Sequence, residues 1–356
     1  MLIFKKLGGL MQKVFLDTSY YIGFGLNFNN QSFSQLIRLA EEGHIQILTS
    51  GIILEELKNN IIDSKNKALQ ALKIIEKEYM IKNNISNIEK LKNDIKNIEE
   101  TVFNKLKACH LKDINIKEID VQSIMNDYFA GNPPFAEKEN KKSEFPDAIV
   151  LHSLLKYLNG EICYIISEDN DWMAFCKEHN SQLIHYKYLS AFINKYIIDE
   201  FPDNLLFNNL QEEIFNNLEF IKPCVQETFK FQEFFHDESI IAEPNINLEK
   251  IHNITPEDLF IIFFDEENKT IEVELYVTID FSVKINGYDA TSWHKDNETK
   301  EIFYIDGLDN KEILVDESTE KRLNLTIVYD EELNFDIENC VMDSEIVTVG
   351  LNDYFC

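Results

Sequence analysis

The sequence predicts an α/β fold: a three-layer α/β/α domain around a central parallel sheet, followed by a smaller acidic, mainly-β domain. Two patterns predict it. Up to about residue 200, short apolar runs alternate with helical periodicity, as in parallel strands joined by helices. Beyond about residue 258, apolar and polar residues alternate, which indicates antiparallel strands in a small sandwich or barrel. The predicted divisions are a first domain over 1–200, a helical connector over 201–240 and a β-rich domain over 241–356.

The elements of the first domain follow from apolar runs and the residues that flank them. Strands are predicted over 13–17, 45–48, 162–166 and 182–185. Helices are predicted over 32–42, 52–108, 147–158 and 189–198, and another ends at 177. The run at 162–166 is apolar throughout, so this strand is expected to be central and buried. In the remainder, a helix is predicted over 204–220 and strands over 259–264, 270–285, 301–305, 324–329 and 346–349.

A helical insert over about 58–120 interrupts the alternation of strands and helices. No proline occurs in 52–108, and 58–117 holds 13 lysines against 8 acids. Such charge is typical of a long, solvated helical hairpin. The alternative is a basic arm that contacts a phosphate backbone.

The acidity of the chain belongs to its C-terminal part. Residues 1–200 hold 24 Lys and Arg against 27 Asp and Glu, a net charge of −3, whereas residues 201–356 hold 10 against 36, a net charge of −26. The second part should repel nucleic acid, but the first need not. Two hypotheses follow for residues 201–356: they contact a protein partner, or they mask the basic helical arm.

The cysteines and the apolar runs bear on localisation. The six cysteines, at 109, 163, 176, 224, 340 and 356, show no metal-type spacing, so free thiols in a reducing cytoplasm are expected. No apolar run approaches the ~20 residues of a membrane span, and the N-terminus lacks the features of a signal peptide. We therefore expect a cytoplasmic protein with no membrane partner.

Four acids stand where a predicted strand ends or a helix begins: Asp17, Glu56, Asp147 and Asp169. If the strands are parallel neighbours, these acids share one edge of the sheet, where open α/β sheets bind ligands. Taken singly, each acid could equally be a helix cap, a surface residue or a turn former. Carboxylates that lie close together repel one another unless a cation neutralises them, and a ligand set made only of oxygen atoms suits Mg²⁺ or Mn²⁺. Phosphodiester hydrolysis is the chemistry that fits.

Four segments, in this order, resemble the PIN-domain nuclease family. They are VFLDTS at 14–19, IILEEL at 52–57, FPDAIV at 145–150 and IISEDNDW at 165–172. The resemblance covers about residues 12–198 and is nearest to the PIN-like subgroup with a long helical insert and a Pro-Pro-Phe loop before the third acid. It implies an α/β/α sandwich and divalent-metal-dependent cleavage, mostly of single-stranded or structured RNA.

The resemblance also implies residue roles. Asp17, Asp147 and Asp169 would hold the metal, and Glu56, preferred over Glu55 because it directly precedes Leu57, would complete the catalytic quartet. Three residues would support them: Ser19 by orienting Asp17, Ser167 as the first residue of the Ser-x-Asp-x-Asp turn, and Asp171, which could instead cap the next helix. Trp172 is expected only to pack. Lys141 and Lys142 could hold phosphate, although a solvated loop is the alternative.

The function predicted from the sequence is that of a Mg²⁺- or Mn²⁺-dependent endoribonuclease, of the toxin or defence type, with single-stranded or structured RNA as substrate. Two alternatives stay open at this point. One is a non-catalytic PIN-like scaffold in a protein complex, and the other is a nuclease that acts on DNA, because backbone cleavage needs the same metal chemistry for both nucleic acids.

Overall fold

A computed structural model describes residues 11–23, 30–78, 85–135, 144–200, 205–236, 241–289, 294–295, 302–303, 310–343 and 346–349. Lys141 and Lys142 lie outside these residues. The chain divides into two compact units, one formed by Ile3–Ile197 and the other chiefly by Ile198–Cys356. None of the described helices is long and apolar enough to cross a membrane.

The first unit is built on a five-stranded parallel sheet. The strands are β1 (Gln12–Leu16), β2 (Ile45–Ser50), β3 (Lys112–Ile114), β4 (Cys163–Ile166) and β5 (Leu183–Tyr186), in the order β3-β2-β1-β4-β5. The parallel α/β prediction is confirmed, but β3 was missed. It is three residues long at the sheet edge, and two of them are exposed, so it has no apolar run to reveal it.

Eight α-helices are described in or at the end of this unit. They are α1 (Thr18–Gly23), α2 (Gln31–Glu41), α3 (Gly51–Glu78), α4 (Ile85–Ala108), α5 (Val121–Ala130), α6 (Phe145–Leu158), α7 (Asn170–Glu178) and α8 (Leu189–Glu200). The long helical stretch that the sequence predicts is present as α3 and α4, which pack against each other. Asn30 caps α2 by accepting the Phe33 N–H (3.1 Å), and Asp120 caps α5 by accepting the Gln122 N–H (3.0 Å).

The core of the first unit fixes the position of β1. Val14, Phe15 and Leu16 are fully buried, because β1 lies at the centre of the sheet with helices on both faces. The buried Trp172 of α7 stacks on Phe15 with 6.0 Å between ring centroids. The residue that follows Leu16, Asp17, therefore lies at the end of the central, buried strand of the sheet.

The second unit is mainly β, as predicted. Two helices come first, α9 (Leu205–Asn216) and α10 (Lys222–Phe229). The strands are β6 (Phe234–His236), β7 (Ile241–Asp265), β8 (Thr270–Asp289), β9 (His294–Lys295), β10 (Ile302–Phe303), β11 (Asn310–Tyr329), β12 (Phe335–Met342) and β13 (Val347–Val349).

The prediction of a sandwich or barrel is wrong for the described strands. They form one open antiparallel sheet in the order β12-β11-β8-β7, with two small two-stranded sheets, β10-β9 and β13-β6. Helix α10 covers part of the apolar face of the large sheet, where Phe229 contacts Phe281 with ring centroids 5.1 Å apart. Alternation along a strand predicts one buried face, but it does not distinguish a helical cover from a second sheet.

The cysteine prediction also needs a correction. Cys224 of α10 and Cys340 of β12 form a disulfide, so the expectation that all six thiols are free is wrong for this pair. The two residues are separated by 116 positions, and only the packing of α10 beside β12 brings them together. Cys109, Cys163 and Cys176 are free and buried, and Cys356 lies outside the described residues.

Candidate active site

The ends of β1 and β4 bring the first and the last of the four predicted site segments together. In the parallel register Leu16 stands opposite Ile166, and the Asp17 backbone N–H donates to the Ile166 carbonyl (3.0 Å). The next residue after β4 is Ser167, which is fully buried. Asp17 and Ser167 are consequently neighbours across the two central strands, at the carboxyl edge of the sheet.

Two hydroxyl groups orient the Asp17 carboxylate. Its Oδ2 atom accepts hydrogen bonds from Ser19 Oγ (2.7 Å) and Ser167 Oγ (3.2 Å). Burial raises the pKa of Asp17 above its ordinary value, the two hydroxyl bonds oppose that rise, and the nearby Asp169 carboxylate adds to it. Both predicted supporting serines therefore contact the acid they were expected to support.

Glu56 reaches the same edge from helix α3. The Thr18 hydroxyl donates to Glu56 Oε2 at 2.8 Å, and Thr18 directly follows Asp17. Glu55 is exposed and pairs with Lys58 (3.9 Å) on the outer surface of the helix. Thr18 was not among the predicted site residues, and the only signal for it was a hydroxyl directly after the first acid.

Asp147 is electrostatically linked to the other acids. It lies in the first turn of α6, directly after Pro146. Burial, followed by the negative charges of Asp17 and Glu56, raises the pKa of Asp147 to about 7. Such charges shift the pKa of a carboxyl group only when they are near it and poorly screened, so Asp17 and Glu56 lie near Asp147.

Trp172 has a second role that the sequence did not indicate. Besides packing on Phe15, its side chain hydrogen-bonds Asp147, and this bond lowers the pKa of that carboxyl. Indole nitrogen can only donate, so Asp147 is the acceptor. Trp172 thereby joins the turn after β4 to the first turn of α6.

The turn after β4 places Asp169 and Asp171 differently from each other. The Asp169 backbone N–H donates to Ser167 Oγ (3.1 Å), and Asp169 Oδ1 accepts the Asp171 N–H (2.6 Å). Asp169 is thus the residue that caps α7, a role that the sequence had assigned as the alternative for Asp171. Asp169 is exposed at the sheet edge, whereas Asp171 is buried in the first turn of the helix.

The acids form an open arrangement. Within the residues that the structure describes, no three Asp, Glu, His or Cys side chains are close enough to enclose a metal ion. The donors that converge are carboxylate oxygens, with hydroxyl groups behind them and no thiolate or imidazole among them. This donor set suits a hard divalent cation such as Mg²⁺ or Mn²⁺ rather than zinc.

Ser167→Ala should destabilise the first unit by roughly 1–2 kcal/mol and raise the pKa of Asp17 further. The change removes the hydroxyl that both donates to Asp17 and accepts the Asp169 N–H. The measurement is thermal or urea unfolding beside Ser34→Ala, whose hydroxyl only bonds the Asn30 carbonyl on an exposed helix end. Equal stability of the two variants would contradict a bridging role for Ser167.

Comparison with protein families agrees with this geometry. A family model described as PIN domain matches residues 14–172, a span that runs from within β1 to the start of α7 and includes all four acids. Comparisons with curated proteins and with solved structures gave no match. PIN domains are generally nucleases, and they typically use divalent metals. The N-terminal unit of this chain belongs to the PIN-domain family.

Proposed function

We propose that this chain is a divalent-metal-dependent endonuclease that hydrolyses phosphodiester bonds, with RNA as its substrate. The observation that carries the proposal is the placement of Asp17, Glu56 and Asp147, from three separate elements, near one another, where burial first and then the charges of Asp17 and Glu56 raise the pKa of Asp147 to about 7. Converging acids destabilise a fold unless a cation neutralises them. Carboxylates whose pKa values are shifted by burial and by one another are typical of functional sites.

Asp17, Asp147 and Asp169 would hold the ion, and Glu56 would complete the pocket. When bound, Mg²⁺ or Mn²⁺ polarises a phosphodiester and lowers the pKa of an attacking water. Ser19 and Ser167 hold Asp17 in orientation, and Thr18 holds Glu56. The hydroxyl bonds keep these carboxylates directed at a common edge while they repel one another.

RNA is the substrate suggested by the resemblance to PIN nucleases, most of which cut RNA. The competing proposal of a non-catalytic scaffold is disfavoured by the four acids, which are all present and lie at one edge. A scaffold has no need for a buried carboxyl group, Asp147, whose pKa two neighbouring carboxylates raise further.

The direct test is incubation of the full-length protein with labelled single-stranded RNA or DNA in Mn²⁺, Mg²⁺ or EDTA. Metal-dependent cleavage that Asp17→Asn abolishes supports the enzyme, and a preference for RNA supports the proposed substrate. Cleavage that survives both EDTA and Asp17→Asn, or no cleavage with either substrate, would refute the proposed site.

Metal affinity should depend on pH through Asp147. Its raised pKa of about 7 means that an incoming cation must displace a proton at lower pH. The apparent affinity for Mn²⁺ should therefore fall roughly tenfold from pH 8 to pH 6. Isothermal titration calorimetry at the two pH values measures this, and Asp147→Asn should bind more weakly and lose the pH step. An affinity that is the same at both pH values would count against Asp147 as a ligand.

The acidic C-terminal unit is proposed as a contact for a protein partner. The proposal rests on its charge, since residues 201–356 carry 36 acids against 10 basic residues. A partner held by charge should release as ionic strength rises, because salt screens exposed charges beyond about 8–10 Å.

A further inference from the structure

A cluster of aromatic rings lies beside the first turn of α6. Tyr128 of α5 contacts Phe145 (ring centroids 5.0 Å apart) and Phe135 (5.4 Å), and Phe135 in turn contacts Phe145 (5.0 Å). This cluster packs on the buried residues Ile124 and Ala148. Phe145 stands two positions before Asp147, and Ala148 directly follows Asp147. The rings therefore adjoin the segment that carries the third candidate acid.

Phe129 extends these rings into solvent. Its ring is 77% exposed and meets Tyr128 edge-on, with 5.4 Å between centroids. A single exposed apolar side chain needs no explanation on its own. Phe129 differs because it is the outermost ring of a contiguous series that runs through Tyr128 to Phe145. We call Phe129, Tyr128 and Phe145 the aromatic platform.

The platform is held in a fixed position relative to α6. His152 of α6 pairs with Asp127 (Nε2 to Oδ2, 3.1 Å), which lies next to Tyr128 in α5. The Asn132 side-chain amide also donates to Asp127 Oδ1 (3.0 Å) just beyond the end of α5. Helix α5 thus packs against the helix that bears Asp147 through the close contact of His152 with Asp127 and through the packed rings.

The electrostatics of the site call for a source of substrate affinity other than charge. Four carboxylates repel the phosphates of a nucleic acid, and residues 1–200, which carry a net charge of −3, hold no excess of positive charge to offset them. Base stacking on aromatic side chains gives affinity without a positive charge and accepts any base. In a duplex the faces of the bases are covered by their neighbours, so only an unpaired base can use such a ring.

We propose that the aromatic platform binds an unpaired base of a single-stranded nucleic acid substrate, with Phe129 as the stacking ring. This inference rests on the proposed nuclease function and adds to it a base-binding ring beside the segment that carries Asp147. The base would lie on Phe129 while the neighbouring backbone extends toward the carboxylate edge.

The test uses the full-length Asp147→Asn protein, which should hold substrate without cutting it, and labelled 12-nucleotide single-stranded RNA in Mn²⁺ followed by fluorescence anisotropy. Adding Phe129→Ala should weaken binding about tenfold or more, whereas Phe129→Trp should stay within about threefold of the parent. The control is Val121→Ala, an exposed apolar change on the same helix, which should leave binding unchanged. Duplex RNA should bind weakly and should not respond to Phe129→Ala.

Several outcomes would overturn the platform. One is that Phe129→Ala binds the single strand as tightly as its parent does, and another is that duplex and single-stranded RNA lose the same affinity on this change. The platform is also overturned if the parent binds no RNA, or if Phe129→Ala reduces only the self-association of the protein and leaves RNA binding unchanged. The two proposals fail separately. Cleavage by the unmodified enzyme with binding insensitive to Phe129 refutes only the platform. Binding that depends on Phe129, without any metal-dependent cleavage, refutes only the nuclease.

Discussion

Replacing Asp147 with Asn should reduce metal-dependent cleavage by a factor on the order of 10²–10³ or more, and should leave the fold intact. The amide has the size of the carboxyl group and can still accept the Trp172 hydrogen bond, but it carries no charge with which to hold a cation. The loss should appear in single-turnover cleavage of labelled RNA with Mn²⁺ in excess. It should not be recovered by raising the RNA concentration, because the missing interaction is with the ion.

The same substitution should stabilise the metal-free protein at high pH. The folded pKa of Asp147, about 7, lies above its ordinary value of 3.8, so the folded state binds the proton more tightly than the unfolded chain does. The free energy of unfolding of the unmodified protein therefore falls as the pH rises from about 4 through 7. The Asp147→Asn variant does not lose stability in this way. Its free energy of unfolding should therefore exceed that of the unmodified protein by roughly 2–4 kcal/mol at pH 8 and by close to zero at pH 4.

Thermal unfolding in EDTA at pH 4.5 and pH 8 measures this stability, and Glu55→Gln is the matched control. Glu55 is an acid of the same unit that neighbours Glu56 but faces solvent, so its neutral variant should cleave normally and unfold normally. An Asp147→Asn protein that cleaves at the original rate refutes the assigned role. One that unfolds at lower temperature than the parent at pH 8 refutes the electrostatic account.

The positions of the acids could be predicted from sequence because a local pattern encodes each of them. Asp17 follows an apolar run, and Asp147 follows a proline that starts a helix. Parallel strands then bring such ends to one edge without further information. The partners of the acids could not be predicted in this way. The bonds from Thr18 to Glu56 and from Trp172 to Asp147 join residues that are distant in sequence, and only the packed sheet and helices bring them together.

The second unit shows a similar limit. The alternating pattern of β8 correctly predicts a strand with one buried face, but the occupant of that face depends on which distant segment packs there. Helix α10 and Phe234 of β6 pack there. The eight residues of α10, Lys222–Phe229, lie within the helical connector predicted over 201–240, but nothing in their sequence indicates which face they cover. The bond between Cys224 and Cys340 depends on the same packing, so the prediction of free thiols could not anticipate it.

The largest stability effect in the second unit should come from Lys321→Met, which we expect to destabilise that unit by about 3–5 kcal/mol. Lys321 is only 3% exposed, and its Nζ atom lies 3.1 Å from Asp343 Oδ1. The other carboxylate oxygen, Oδ2, accepts the Arg322 backbone N–H (2.9 Å), so Asp343 cannot turn away when the lysine is lost. The variant would leave a negative charge in the protein interior without its counter-ion.

Hydrogen exchange separates this effect from the stability of the first unit. Amides of β11 and β12 should exchange faster in Lys321→Met, whereas those of β1 and β4 should keep their protection. Lys284→Met is the control, because its ion pair with Glu312 (2.8 Å) joins β8 to β11, two neighbouring strands of the same sheet, at the surface. The double variant Lys321→Met with Asp343→Asn should recover part of the loss, since the amide can still accept the Arg322 N–H without a charge. If the double variant exchanges as fast as the single one, lost packing rather than the uncompensated charge accounts for the destabilisation.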